Sequence, residues 1–218
     1  MSANPYSISE NHVWATSIYT AVNPQHVAQR AALKEHIYAI EKAPGPRVAS
    51  GIAPQLKANL FESKFDFFQT DHATVQALHT WCSGAVTEVV RHRNSQVWDP
   101  SHQFQLQVVE SWFHVTRAGG YHELHNHPNC SWCGIYYIEI GDSTGGDGSN
   151  VFLDPRAGAH NYLDAGASYL NQFTQIDFEP EDGKLIIFPS YLLHAAKPYS
   201  GAKDRIVVAF NCAVRKVD

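Results

Sequence analysis

The sequence predicts a mainly β fold with flanking helices, on three observations. After Asp99-Pro100 the chain becomes a series of short runs rich in β-branched and aromatic residues, separated by Gly, Pro, Asn and Asp, the texture of a sandwich or barrel. Before residue 100 two stretches carry apolar residues at helical spacing instead. Hydrophobic residues make up 44% and charged residues only 17% of the chain, which suits a buried core and argues against disorder or coiled coil. With 218 residues the chain can bury a real core without disulfide staples. We expect a single domain over 1–218. Residues 1–100 would supply an N-terminal strand and supporting helices, and 101–218 the β core, because the helices need a face to cover.

Residues 12–22 read as a strand. A helix is predicted from Pro24 to about Glu41, with Val27, Leu33, Ile37 and Ile40 as its apolar stripe, and Pro44-Gly45-Pro46 stops it. Residues 47–69 read as irregular. The second helix, about Asp71 to His92, is clearer: Val75, Leu78, Cys82, Ala85, Val86 and Val89 recur at spacings of three and four, so one face is buried. Thr70 or Asp71 would cap its start. Strands are predicted over 104–117, 134–140, 150–153, 168–179, 184–188 and 205–214.

Several classes are excluded. The net charge of −5 argues against a general nucleic-acid or anionic-membrane binder. The longest apolar runs, such as Leu185–Phe188, are far short of the roughly 20 residues of a membrane span. The sequence at Met1–Pro5 has neither a basic n-region nor an apolar h-region, so the expected location is cytoplasmic. Four cysteines do not make a secreted disulfide scaffold. A homo-oligomer is compatible with all of this.

Histidine is the unusual residue. There are 13, and His114, His122, His125 and His127 fall within 14 residues, where even spreading predicts about 0.8. On an extended chain His125 and His127 point to one face, and both imidazoles can reach one metal. His194, after the apolar strand that ends at Pro189, is the best third ligand. A close pair plus a distant His is the spacing of a facial metal triad, with positions left open for O₂ or an organic acid. His122 competes as a ligand, but a regular strand would turn it to the face opposite His125. His114 reads as structural or supporting, and the remaining histidines as surface.

These residues resemble the double-stranded β-helix, or jelly-roll, metalloproteins. Gly119 with His125-Asn126-His127, and Gly183 with Pro189 and His194, fit the two halves of the cupin signature. The resemblance is closer to Fe(II)- and 2-oxoglutarate-dependent oxygenases, and especially to a bacterial and phage subgroup. It rests on His125–Pro128, Gly134-Ile135-Tyr136-Tyr137, Asp154-Pro155-Arg156, Phe188-Pro189-Ser190 with His194, and Arg205-Ile206 with Phe210-Asn211. It covers about 110–215 strongly. It implies a jelly-roll core, Fe(II) on His125, His127 and His194, and 2-oxoglutarate as cosubstrate with O₂. Arg205 would hold the far carboxylate, and an unidentified substrate would be hydroxylated with release of succinate and CO₂. No catalytic residue beyond the metal ligands is implied. Tyr121, His122, Trp132 and Tyr136 are candidate pocket residues, and Arg156 is a rival carboxylate binder. His127 stands where this superfamily usually has a carboxylate; a dianionic oxoacid, Glu123 or Asp154 could supply the missing charge. The alternative is a cupin-like jelly-roll, either a three-histidine dioxygenase that does not use 2-oxoglutarate or a non-enzymatic small-molecule binding module. Cys130-Ser131-Trp132-Cys133 is a lone CxxC, read as structural thiols, with a mixed zinc site as its rival.

Overall fold

A computed structural model describes residues 15–43, 57–99, 101–156, 164–166 and 174–217. Its strands are β1 (Tyr19–Val22), β2 (Lys57–Glu62), β3 (Phe104–His125), β4 (Trp132–Glu139), β5 (Asn150–Leu153), β6 (Gln175–Phe178), β7 (Lys184–Pro189), β8 (His194–Tyr199) and β9 (Arg205–Lys216). The helices are α1 (His26–Lys42) and α2 (Ala73–Asn94). The strands form a curled antiparallel sheet in the order β1-β7-β4-β9-β3-β8-β5-β6, with β2 also paired to β3. This is the mainly β core with flanking helices that the sequence predicts.

β3 closes the curl. Its first half pairs with β9, from Phe104↔Lys216 to Thr116↔Arg205. Its second half pairs with β8, ending at His125↔His194. The strand turns the corner at Gly119-Gly120. Gly119 has φ +79°, and a Cβ on Gly120 would lie 2.7 Å from the carbonyl oxygens of Arg117 and Asn59; only glycine fits both demands.

The helices cover one face of the sheet. Val75, Leu78, Cys82, Val86, Val89 and Val90 of α2 are buried, and with Leu33 and Ile37 of α1 they pack on Phe113, Tyr136, Leu185 and Phe210. Each fully buried side chain of this kind contributes about 1.5–3 kcal/mol, enough to hold helices that carry no side-chain N-cap. The predicted caps are not used. His72 takes the N-cap position of α2 without a cap bond. Thr70 turns its hydroxyl back to Phe67 O at 2.7 Å, and Gln76 ties the first turn to Phe68 O at 2.7 Å. In α1 Val27 is 88% exposed, so it leaves the predicted stripe, and His26 holds that end instead.

Three further expectations change. The first strand is confined to Tyr19–Val22, with 12–14 outside the described residues. Within 168–179 the strand is Gln175–Phe178, and 168–173 lie outside the described residues. β2 falls where irregular chain is expected, and β8 where no strand is assigned. Neither has the alternating apolar pattern of a half-buried strand; pairing with β3 and β5 makes them strands.

Candidate metal centre

His125, His127 and His194 meet at one point, with one ring nitrogen from each within 4.8 Å of the others. His125 ends β3, His194 opens β8 directly opposite it, and the two are register partners. His127 follows in the loop, held by its own N–H to Ser190 O at 3.1 Å. Among the described residues this is the one group of three or more His, Cys, Asp or Glu that could hold a metal.

Hydrogen bonds fix which nitrogen is free. His125 Nδ1 lies 2.7 Å from Glu123 O, and His194 Nδ1 lies 3.0 Å from Leu192 O. A carbonyl only accepts, so both Nδ1 atoms carry the proton and both Nε2 lone pairs are left for a ligand. Second partners of this kind orient metal-binding imidazoles and raise their basicity. Burial also keeps the rings neutral. It is the main cause that lowers His127 to about 4, with the neighbouring His125 adding to it, and His125 and His194 move the same way for the same reason. Neutral rings are the ligating form, so the donor set fits a borderline divalent ion such as Fe(II). Phe188 and Phe152 flank His194 at ring distances of 4.7 and 5.7 Å.

The group lines a cavity of about 680 Å³. Arg205 lines it too and is 2% exposed. Its Nη2 donates to Asn150 Oδ1 at 3.3 Å, and its guanidinium lies over the Tyr137 ring at 5.2 Å. Its Nε is buried with no partner. Among the described residues no carboxylate pairs with it: the neighbouring Asp204 bonds Tyr38 and Arg117 instead. A buried, unpaired guanidinium facing a cavity is a site for a carboxylate from a ligand.

Residues 110–211 match the family model described as "Putative 2OG-Fe(II) oxygenase". That segment, a little under half of the chain, is similar to the 2OG-Fe(II) oxygenase family. The match points to an oxidoreductase. Solved structures of similar fold include a Pseudomonas putida prolyl-4-hydroxylase (TM-score 0.54, 16% identity, 90% of this chain and 92% of that one covered). A viral collagen prolyl hydroxylase from Paramecium Bursaria Chlorella virus-1, in its 2OG complex, gives 0.52, 13%, 89% and 94%. HygX from Streptomyces hygroscopicus, with nickel and 2-oxoglutarate bound, gives 0.56, 13%, 91% and 83%. No curated protein sequence matches the chain.

The predicted pocket residues divide. His122 lines the cavity. Register shifts between His122 and His125 cancel the strand alternation, so the two rings meet, with Nδ1 atoms 2.9 Å apart. Because His125 Nδ1 holds the proton, His122 Nδ1 accepts it. His122 lies outside the ligand group, stacked on His114 at 5.8 Å. His114 in turn bonds Glu62 at 2.9 Å. Trp132 and Tyr136 are not in the cavity wall: they pack in the core beneath the helices, where Tyr136 takes its bonds from His26 and Asn23. β4 runs over Trp132–Glu139 against the expected 134–140, and its Cys133 and Ile135 face the cavity. Tyr121 pairs with Ala58 of β2 and does not line the cavity.

Neither proposed carboxylate joins the histidines. Glu123 is exposed and contributes only its carbonyl, and Asp154 grips Arg156 at 2.9 Å. Arg156 does not line the cavity. Cys130 and Cys133 sit 3.8 Å apart, outside the group, and Ser190 donates to Cys130 O at 2.6 Å. Of the histidines read as surface, His26 is buried and His79 stacks on Phe68 at 4.9 Å. Tyr137, Asn150, Glu110 and Asn211 were not foreseen. The alternation that puts Arg205, Val207 and Ala209 on one side of β9 reaches Asn211 one step later, and that signal was available.

Proposed function

We propose that the protein is a cytoplasmic Fe(II)- and 2-oxoglutarate-dependent dioxygenase that hydroxylates a small-molecule or peptide substrate and releases succinate and CO₂. The observation that carries the reading is Arg205: a buried guanidinium with no carboxylate partner among the described residues, in the same cavity as three convergent neutral imidazoles. His125, His127 and His194 would hold Fe(II), and the ion when bound supplies O₂ activation. Arg205 takes the far carboxylate of 2-oxoglutarate as a planar two-pronged donor. Tyr137 holds that end rigid by donating to Asn150 and underlying the guanidinium. Phe152 and Phe188 keep water from the His194 side. Three neutral ligands leave both charges of the ion uncompensated, and a dianionic cosubstrate balances them. The bound 2-oxoglutarate of the viral hydroxylase and of HygX supports the same pairing of fold and cosubstrate.

The test is anaerobic addition of 2-oxoglutarate to the Fe(II)-loaded protein, with a visible charge-transfer band expected. No band, together with unchanged 2-oxoglutarate affinity in Arg205→Ala, refutes the proposal. The all-histidine group favours one rival, a three-histidine dioxygenase that does not use 2-oxoglutarate. Succinate formed in air from 2-oxoglutarate, even without the prime substrate, excludes it.

A further inference from the structure

We infer that the end of the cavity opposite Arg205 binds the prime substrate through a positively charged nitrogen group, an ammonium or a guanidinium. The inference rests on the reading that Arg205 takes the cosubstrate. The inward positions of β9 are Arg205, Val207, Ala209 and Asn211. Across the ladder they face Thr116, His114, Trp112 and Glu110 of β3. Six residues of strand span about 20 Å, so Arg205 and the Glu110–Asn211 pair mark two separate ends. The histidine group lies between them: Trp112 packs on His127 at 5.5 Å, and His114 stacks on His122 beside His125.

The two ends carry opposite charge. Among the described residues Arg205 is the one Lys or Arg lining the cavity. Of the two lining glutamates, Glu62 is engaged by Lys57 and His114. Glu110 has no ion pair among the described residues; its partner is Asn211 Nδ2 at 2.9 Å. That bond fixes the Asn211 amide, because the carboxylate needs a donor. Asn211 is 2% exposed, and its Oδ1 is buried with no partner. This end therefore holds a carboxylate with no ion pair among the described residues and an orphaned carbonyl. Trp112 lies two residues from Glu110, with Phe65 edge-on to it at 5.0 Å, an aromatic platform beside the charge. In the free protein Glu110 is exposed. A substrate that seats over the metal covers it, and an uncompensated carboxylate is then costly. A cationic N–H group restores the lost hydrogen bonds with charge assistance; a neutral group does so poorly and an anion is repelled.

The test uses n-butylguanidinium and its neutral isostere n-butylurea as probes. Binding is read by ligand-observed saturation-transfer NMR on the Zn(II)-substituted protein saturated with 2-oxoglutarate, where no turnover occurs. The guanidinium is expected to bind at least about tenfold more tightly, the factor a charge-assisted bond provides. Glu110→Gln should erase the preference, and Glu110→Asp, which keeps the charge, should retain it. Equal binding of the two probes, binding of neither, or a preference that survives Glu110→Gln overturns the inference. Titration of 2-oxoglutarate into the same wild-type sample separates the failures. If it binds and the probes are not distinguished, only the cation site falls; if it does not bind, the cosubstrate reading falls and takes this inference with it.

Discussion

Replacing Arg205 by Met should move stability and cosubstrate binding in opposite directions. The side chain is 2% exposed, makes one hydrogen bond to Asn150 at 3.3 Å, and leaves Nε without a partner. Asn150 Oδ1 keeps the Tyr137 hydroxyl in its absence, so the substitution strands no acceptor. Met can follow the same path over the Tyr137 ring. A buried charge without a counter-ion carries a penalty of several kcal/mol, and apolar replacement of such groups is often neutral or stabilising. The ligand-free variant should thus melt at or above the wild-type temperature, with about 2–4 °C for each kcal/mol regained in a chain of this size. Binding should go the other way. Two charge-assisted hydrogen bonds to a carboxylate, at about 1.5–3 kcal/mol each, are lost, so affinity for 2-oxoglutarate should fall by about 100-fold or more. The assay is thermal melting with and without 2-oxoglutarate, alongside calorimetric titration of the Zn(II)-substituted protein. Wild type at a hundredfold excess over its Kd should gain about 2.7 kcal/mol, and Arg205→Met should show no such gain at that concentration. A variant that melts several degrees lower and binds 2-oxoglutarate as wild type does would refute the reasoning and make Arg205 a structural cation.

Alanine at His125, His127 or His194 should abolish the visible spectrum of bound Co(II), while His127→Asp should keep it, since a carboxylate is an equally competent ligand. His122→Phe removes the ring that accepts from His125 and should weaken metal binding by about 10- to 100-fold, the usual effect of losing an outer-shell partner, as measured by chelator competition. Tyr136→Phe leaves His26 and Asn23 without their buried partner, which costs about 1–3 kcal/mol; the melting temperature should fall with 2-oxoglutarate affinity unchanged. Burial opposes ionisation of Glu62, but the bonds from His114 and Lys57 outweigh it and hold the carboxyl at about 2, against an ordinary 4.5. The unfolded chain therefore takes up this proton first, so the stability from Glu62 is present above pH 4.5 and is lost as pH falls towards 2. Glu62→Gln should flatten that part of an acid-denaturation curve, and an unchanged slope would count against the pairing.

The long apolar pattern of α2 and the strongly branched run Ile206–Phe210 were legible because burial of one or both faces writes itself into local periodicity. The histidine group was legible because two ligands are neighbours in sequence and the third follows a marked strand. What escaped was set by pairing rather than pattern. β2 contains Asn59 and two charged ends, and only its ladder with β3 makes it a strand. The contact between His122 and His125 depends on irregular register, which no alternation rule anticipates. The inward face of β4 is illegible for a different reason: all eight residues are buried, so polarity gives no clue to which set faces the cavity. Glu110 and Asn211 are 101 residues apart, and nothing local joins them.

β4 serves two layers at once. Trp132, Tyr136 and Ile138 belong to the core under the helices, and Cys133, Ile135 and Tyr137 to the cluster beside the cavity. Even its glycine is constrained, because a Cβ on Gly134 would collide with the Phe210 ring. The layer between the helices and the reaction space is thus a partition one strand thick. Filling the cavity braces that partition from inside, so cosubstrate should slow amide exchange in the segments of α1 and α2 that lean on β4, although neither helix lines the cavity.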